Sequence, residues 1–543
     1  MQTESISADL VIIGGGVGGC AAAIAALESG ASVILTEEYR WIGGQFTSQC
    51  VPPDENPMVE SVGSTLRYRQ FRRKIQQSYR DHFPLTVEAR QHHALNPGNG
   101  NVSDLCANPE IPLRVLQDWF APYRFSGKLR ILTETKPVST VVKDDCVQEV
   151  TVLSTVGDRA YLLKGHYFLD GSELGDLIAI SGTEYRAGAE AHSETGEPSA
   201  PERADPLNHQ AASVCFAMDW SPDTDNVGPT PANYEKWRNF LPEMTPPWPG
   251  RQFSWMASHP HQENAPVRRY LFNHPKSTGH DTSLWYFRRI LDKTNFVPDF
   301  FPSDITSVNW PQIDFLGGSL FEVPEEQAKA NLAAARNYSR CFFHWMQTEA
   351  PRDDESGYGY PELRLRGDLT GDTPDGLAMA PYIREGRRIV AEFTVLEQHV
   401  ASRFREGRGA ESFDDSVGIG WYPIDLHPTT RGLNYRDWDT DPFQIPMGAL
   451  IPVRMRNLLP AGKNLGVTHI TNGCYRLHPI EWNIGEAAGL LAVAAIREKS
   501  APHEIYKDKT LRDRFRWELH RKQRIPLEWP RIFSRKDFSP QIR

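Results

Sequence analysis

The first forty residues are organised by short apolar runs separated by glycine. Leu10-Val11-Ile12-Ile13 is continuous and apolar, the pattern of a strand buried on both faces. After a glycine cluster, residues 20–27 are almost entirely Ala, Ile and Leu. They predict a slim helix that can lie close on a sheet, with Gly30 where its C-cap belongs. Val33-Ile34-Leu35 is a second strand, so a β-α-β unit fits within about 30 residues. Residues 129–170 read as strands: Val141-Val142, Val150-Thr151-Val152-Leu153 and Tyr161-Leu162-Leu163, parted by polar turns such as Lys143-Asp144-Asp145. Residues 195–250 are rich in Pro, Asp, Asn and Thr and predict loops leading into a second domain. Pro324 opens a helix whose apolar positions Ala328, Leu332, Ala335, Tyr338, Phe342 and Trp345 step by three or four, and which must stop before Pro351. A second helix is expected over 387–400, with Ile389, Phe393, Leu396 and Val400 on one face. Near the end, Asn457-Leu458-Leu459-Pro460-Ala461-Gly462 predicts a strand entering a glycine turn, and Pro479 opens a helix reaching Ile496. There is no internal repeat.

At 543 residues the chain exceeds what one core supports, so two closely associated domains are expected. A formal charge of −10 argues against a nucleic-acid surface, while leaving room for a local arginine cluster facing a small anion. The apolar stretch 487–496 is far short of the roughly 20 residues a bilayer span needs, and the polar start has no signal-peptide pattern. The seven cysteines are odd in number and none has CxxC spacing. Free thiols in a reducing, cytoplasmic setting are therefore expected, with no metal site.

The glycine cluster carries the first chemistry. Gly14-Gly15-Gly16-Val17-Gly18-Gly19 satisfies G-x-G-x-x-G between a strand and a helix, and Glu37 follows at the end of the next strand. In this context Gly14 permits the tight turn, Gly16 lets backbone approach a pyrophosphate, and Gly19 allows close packing. The helix N-terminus offers N–H groups to phosphate, and Glu37 accepts the ribose hydroxyls. Gly43-Gly44 closes the next turn, as such a doublet does in two-dinucleotide-binding flavoproteins. No second G-x-G-x-x-G in strand–helix context marks a separate NAD(P)H domain.

Further blocks carry a resemblance: Trp41-Ile42-Gly43-Gly44-Gln45; Asn96-Pro97-Gly98-Asn99-Gly100 with Val102-Ser103; Leu169-Asp170-Gly171-Ser172-Glu173; Asn309-Trp310-Pro311; and Pro381-Tyr382-Ile383-Arg384-Glu385. Then come Leu459-Pro460-Ala461-Gly462-Lys463-Asn464 and Asn472-Gly473-Cys474-Tyr475-Arg476-Leu477-His478-Pro479. Over nearly its whole length the chain resembles the FAD-dependent oxidoreductase family of bacterial flavoproteins, distantly akin to succinate dehydrogenase and fumarate reductase flavoproteins. The resemblance implies an α/β fold: a discontinuous Rossmann-type FAD-binding domain (1–204 and 411–500), an α+β substrate domain (205–410) and a C-terminal extension (501–543). It implies FAD contacts from Gln45, Asp170, Gly171, Gly462, Asn464, Asn483 and Ile484, beside those of Gly14, Gly16, Gly19, Glu37, Gly43 and Gly44. The helix after Pro479 would aim its positive end at the flavin. Asp104 stands where relatives are expected to be basic. The loop Thr47-Ser48-Gln49-Cys50 has no histidine, so FAD is expected to be non-covalent.

Flavin chemistry needs a substrate C–H against the ring and usually a base. Arg476, His478 and His469 are the candidate catalytic residues, because they lie in the block the resemblance places beside the flavin. Each also has a structural reading, as a carboxylate partner or helix cap. His427 is a further candidate base. Arg384 could reach an anionic substrate, while Arg387 and Arg388 fit a solvated helix face. Leu284-Trp285-Tyr286-Phe287 fits core packing better than a pocket wall, and His259-Pro260-His261 lacks a third ligand for a metal. The expected function is oxidation or reduction of a small organic molecule by hydride transfer at flavin N5. A monooxygenase or halogenase-like enzyme and a non-catalytic flavin protein are the alternatives. The sequence leaves open a homo-oligomer, and oxygen, a quinone or NAD(P) as electron acceptor.

Overall fold

The computed structural model describes residues 2–262, 265–272 and 283–530. Its organising layer is a five-stranded parallel sheet, built from four N-terminal strands and one from near the C-terminus. Here β1 is Leu10–Ile13, β2 Val33–Thr36, β3 Leu129–Leu132, β4 Tyr167–Asp170 and β5 Leu458–Pro460. The order across the sheet is β5-β4-β1-β2-β3, and every pair is parallel. All four residues of β1 are buried, which is why the run carries no polar alternation.

The helix after β1, α1 (Val17–Glu28), is as expected from its small residues. It packs along α3 (His478–Glu498), the long C-terminal helix. The two backbones meet closely. A Cβ on Gly18 would lie 1.7 Å from the Ala461 carbonyl oxygen, and one on Gly485 would lie 2.0 Å from that of Gly18. Three distant glycine-containing segments are thereby locked into one layer.

A second, four-stranded sheet (Gln2–Ser7, Thr135–Lys143, Cys146–Ser154 and Arg159–Lys164) flanks the first. A third lies wholly in the middle of the chain, where Phe216–Trp220, Arg289–Leu291, Ile305–Val308 and Leu363–Leu365 pair antiparallel. The helix α2 (Glu325–Thr348) runs where the spacing predicts it, with Ala335, Tyr338, Phe342 and Trp345 buried.

The helix expected over 387–400 is absent. Arg388–Ile389 is a strand and only Glu397–Val400 is helical. Apolar spacing was a poor guide there because the segment is pinned at both sides. A Cβ on Gly386 would sit 2.6 Å from the Glu173 carbonyl oxygen, and Arg388–Ile389 pairs with Tyr185–Arg186. Residues 531–543, the end of the expected C-terminal extension, lie outside the described residues. Among those described, no helix is long and apolar enough to cross a membrane.

Candidate functional site

A cleft of about 370 Å³ opens at the C-terminal ends of the parallel strands, where open α/β sheets bind their ligands. Gly14 forms its floor at a φ of +96°, a left-handed backbone that glycine adopts without strain. A Cβ there would lie 2.3 Å from the Ser172 nitrogen, so the loop after β4 can close against it only because position 14 is glycine. Glu37 lines the cleft, one oxygen accepting the Gly15 N–H at 2.9 Å and the other the Tyr39 N–H at 3.1 Å. Burial pushes its carboxyl up to about 8, a cost that ribose hydroxyls bonded to the charged form would offset.

Further along the cleft stand Gly44, Ser48, Gln49 and the stretch Ala380, Pro381 and Ile383. The buried Gln45 Oε1, Gln49 Oε1 and Glu173 Oε1 lack hydrogen-bond partners. Unfilled acceptors of this kind suit the ring imide N–H and ribityl hydroxyls of a flavin, so the residues present fit FAD. Glu173, beside Gly16, is paired with Lys463, which cancels its charge next to the phosphate position. A wall the sequence did not announce comes from α2, whose first turns place Glu325, Ala328, Lys329 and Leu332 on the cleft.

The C-terminal block mostly supports this cleft from behind. Asp170 accepts from Ser172 N, Ser172 Oγ and Ile178 N at 2.9, 2.6 and 2.9 Å, shaping the loop in which Gly171 lines the cleft. Asn464 Nδ2 donates to the Asp170 carbonyl at 3.0 Å, while its Oδ1 accepts from Gly462 N. Gly19 and Gly43 also act through packing and backbone: Gly43 N–H donates to Gly15 O at 2.7 Å, and a Cβ on Gly19 would clash with Gly14 O. Gln45 Nε2 bonds the Arg476 carbonyl and Glu481. Asn483 and Ile484 are set apart. Asn483 holds the backbone of residues 417 and 419, and Ile484 is core. They point away from the cleft because α3 spends that face on α1 and on the strand Ser416–Gly420.

A second cavity, of about 340 Å³, adjoins this region and was missed. Asp54, Arg288, Asn309, Tyr422, Asp425 and His427 line it, as does Asp437. One layer of side chains links the two spaces. Tyr382, between the cleft residues Pro381 and Ile383, accepts from Arg476 Nη1 at 2.7 Å, and Arg476 Nη2 donates to Asp425 at 2.7 Å. His427 Nδ1 lies 2.6 Å from Asp314 Oδ2. Despite the cost of burial, Arg384 and His427 hold the Asp314 carboxyl below its usual range, so it is the acceptor and Nδ1 carries the proton. Burial and the Arg384 guanidinium push His427 down, which keeps the ring neutral with its Nε2 lone pair available. No short signature could have revealed this Asp–His pair, since its members stand 113 positions apart.

Several expectations change. His478 is fully buried; Nδ1 accepts the Asp54 N–H at 3.2 Å and Nε2 meets Val51 O at 3.3 Å. Burial pushes it down to about 3. With both nitrogens engaged by backbone it has no lone pair for a substrate proton. His469 is likewise tied up, with Nδ1 2.8 Å from Glu385. Arg476 is the link between the two cavities just described, holding Tyr382 and Asp425. Arg384 is fully buried against Asp314 at 3.0 Å, behind the cavity wall. Arg387 and Arg388 are not a solvated face: Arg388 is fully buried against Glu190 and Arg387 is held by Glu322. Asp104 is exposed on the surface and lines neither cavity. Leu284 and Phe287 do line the second cavity, as do His259 and His261.

A family model described as FAD dependent oxidoreductase matches residues 9–516. No curated protein matches the chain. Among solved structures it is similar to L-proline dehydrogenase from P. horikoshii, at 15% identity over 35% of this chain and 25% of that one, with a TM-score of 0.18. The chain thus spans a quarter of that protein's length. It is also similar to Mycobacterium smegmatis Sdh1 in complex with UQ1, at 10% identity over 91% and 69% of the two chains and a TM-score of 0.29. A third is E. coli quinol fumarate reductase FrdA, at 10% identity over 96% and 74% and a TM-score of 0.31. Scores this low leave the reaction undetermined.

Proposed function

The chain belongs to the FAD dependent oxidoreductase family, and from that premise we propose that this FAD-containing enzyme dehydrogenates, or in reverse reduces, a small organic molecule held in the second cavity. The observation that carries the reading is the neutral His427, oriented by Asp314 and lining a cavity one side-chain layer from the cofactor cleft. FAD bound there supplies a two-electron acceptor, or a hydride donor in the reverse direction. Glu37 and Tyr39 would hold its adenosine end, and Ser48, Gln49 and Ala380 the opposite end.

The chain's own part is positioning and proton transfer. As a substrate C–H leaves with its electron pair, His427 Nε2 takes the proton of the adjacent O–H or N–H, and the bond between those atoms becomes double. Asp314 stabilises the resulting imidazolium, in the way a carboxylate orients a catalytic histidine elsewhere. Arg476 holds Tyr382 and Asp425 in place. The parallel-sheet segments 1–204 and 411–500 would form the cofactor domain, and 205–410 the substrate domain that supplies Arg288 and Asn309 to the cavity.

Anaerobic addition of sugars, hydroxy acids, amino acids and steroids to the purified holoenzyme tests the reading. One class is expected to bleach the flavin. If none does, and NADPH with oxygen instead yields a hydroxylated product, the enzyme is a monooxygenase and the reading fails.

A further inference from the structure

The second cavity contains a pairing that costs the fold energy. Two short strands, Ile424–Leu426 and Arg436–Trp438, run antiparallel with Asp425 directly opposite Asp437. Like charges in directly opposed positions destabilise a hairpin. Both residues nonetheless line the cavity. Asp425 is partnered by Arg476, but Asp437 has only His261, at 3.6 Å, as an ion-pair partner among the described residues. The Asp437 side chain is 10% exposed, and its Oδ1 is buried with no hydrogen-bond partner, as is Oδ1 of Asp425. Arg476 offsets part of their repulsion, yet one oxygen of each acid is left without a hydrogen-bond partner.

We propose that this pair recognises a neutral polyhydroxylated substrate, of the sugar or cyclitol type, by gripping its adjacent hydroxyls. The inference rests on the reading that the second cavity takes the substrate. Burial and the neighbouring Asp425 raise Asp437 well above the usual carboxylate range, whereas the Arg476 guanidinium, 2.7 Å away, holds Asp425 below it against the cost of its own burial. The pair is therefore one carboxylic acid beside one carboxylate, offering an O–H donor and several acceptors. A vicinal diol, each of whose hydroxyls both donates and accepts, matches that set.

The surrounding charges point the same way. Arg288 is spent on Asp54, Arg476 on Asp425 and Arg384 on Asp314, and Arg269 also has a partner. A dicarboxylate would have to break these pairs and then face two acids. Phe287, Trp310, Tyr422 and Tyr435 add aromatic faces to the lining, the surface that the C–H face of a sugar ring packs against.

The test uses the full-length, FAD-loaded enzyme. Binding of myo-inositol, D-glucose, D-galactose and D-mannitol is measured by calorimetry against malate and benzylamine, with flavin absorbance followed anaerobically in parallel. At least one polyol is expected to bind, and neither malate nor the amine. Asp437→Leu should weaken the polyol about tenfold or more, the worth of one or two hydrogen bonds. Asp437→Asn, which keeps a neutral donor and acceptor, should stay within about threefold of the parent. Binding of malate or benzylamine to the exclusion of every polyol overturns the proposal, as does undiminished polyol binding by a folded Asp437→Leu. If that variant does not fold, the parent enzyme's selectivity still decides. Polyol binding without bleaching would uphold this inference while refuting hydride transfer. Bleaching by malate or the amine alone would do the reverse.

Discussion

The two cavities are built on opposite principles. The cofactor cleft is largely a backbone construction, with a glycine loop, strand ends and a helix N-terminus fitted at distances no side chain could occupy. The second cavity is a side-chain construction. Its walls are side chains from distant parts of the chain, among them the ion pair of Arg288 with Asp54, backed by that of Arg384 with Asp314. A backbone site tolerates little substitution, because an added side chain would meet backbone atoms. A side-chain site can be rewritten residue by residue, so on the proposed reading it is where substrate choice would reside.

The contrast can be broken most forcefully at His427. Replacing it by Ala should leave FAD bound yet slow flavin reduction about 10²- to 10⁴-fold, the usual contribution of a positioned base. Rapid-mixing reduction kinetics with an identified donor check this, and a change of under threefold would return the base to some other residue.

The next effect belongs to the cleft. Gly14→Ala forces a side chain onto a φ of +96° and into the backbone at residue 172, with a cost of about 1–3 kcal/mol from the backbone conformation alone. The variant should purify with little flavin and melt lower. Full FAD content at an unchanged melting temperature would show that the loop is not packed as described. Glu37→Ala is milder, because only one residue's hydrogen bonds to the adenosine are lost. It should weaken FAD binding by about 1–3 kcal/mol while leaving substrate selectivity alone.

The smallest effect falls on His478, which lies beside both regions and serves neither as a base. Its folded-state value near 3 is below the ordinary 6.5, so the unfolded chain binds the proton first. Its contribution to stability is complete above pH 6.5 and is lost progressively as the pH falls towards 3. His478→Gln should flatten that part of the stability–pH curve in denaturant titrations. It should leave the pH dependence of flavin reduction unchanged, and a shifted kinetic pH profile would contradict its assignment as a structural residue.

The sequence by itself determined the N-terminal β-α-β unit, the long helices after Pro324 and Pro479, and the placing of Gly14 and Glu37 at the ends of two adjoining strands. These depend on local periodicity and on motif spacing, and neighbours along the chain suffice to express both. The same logic misled at 387–400, where apolar spacing suggested a helix but long-range strand pairing and a close backbone approach at Gly386 won. It also placed the chemistry on His478, because the sequence showed a histidine at a helix start and not the carbonyl of Val51 and the amide of Asp54 that occupy its ring. Only the tertiary structure brought His427 to Asp314, Arg476 to Tyr382, and α2 over the cofactor cleft. Residues 94 to 113 positions apart have no local pattern in common, and their pairing exists only once the core has brought their strands together.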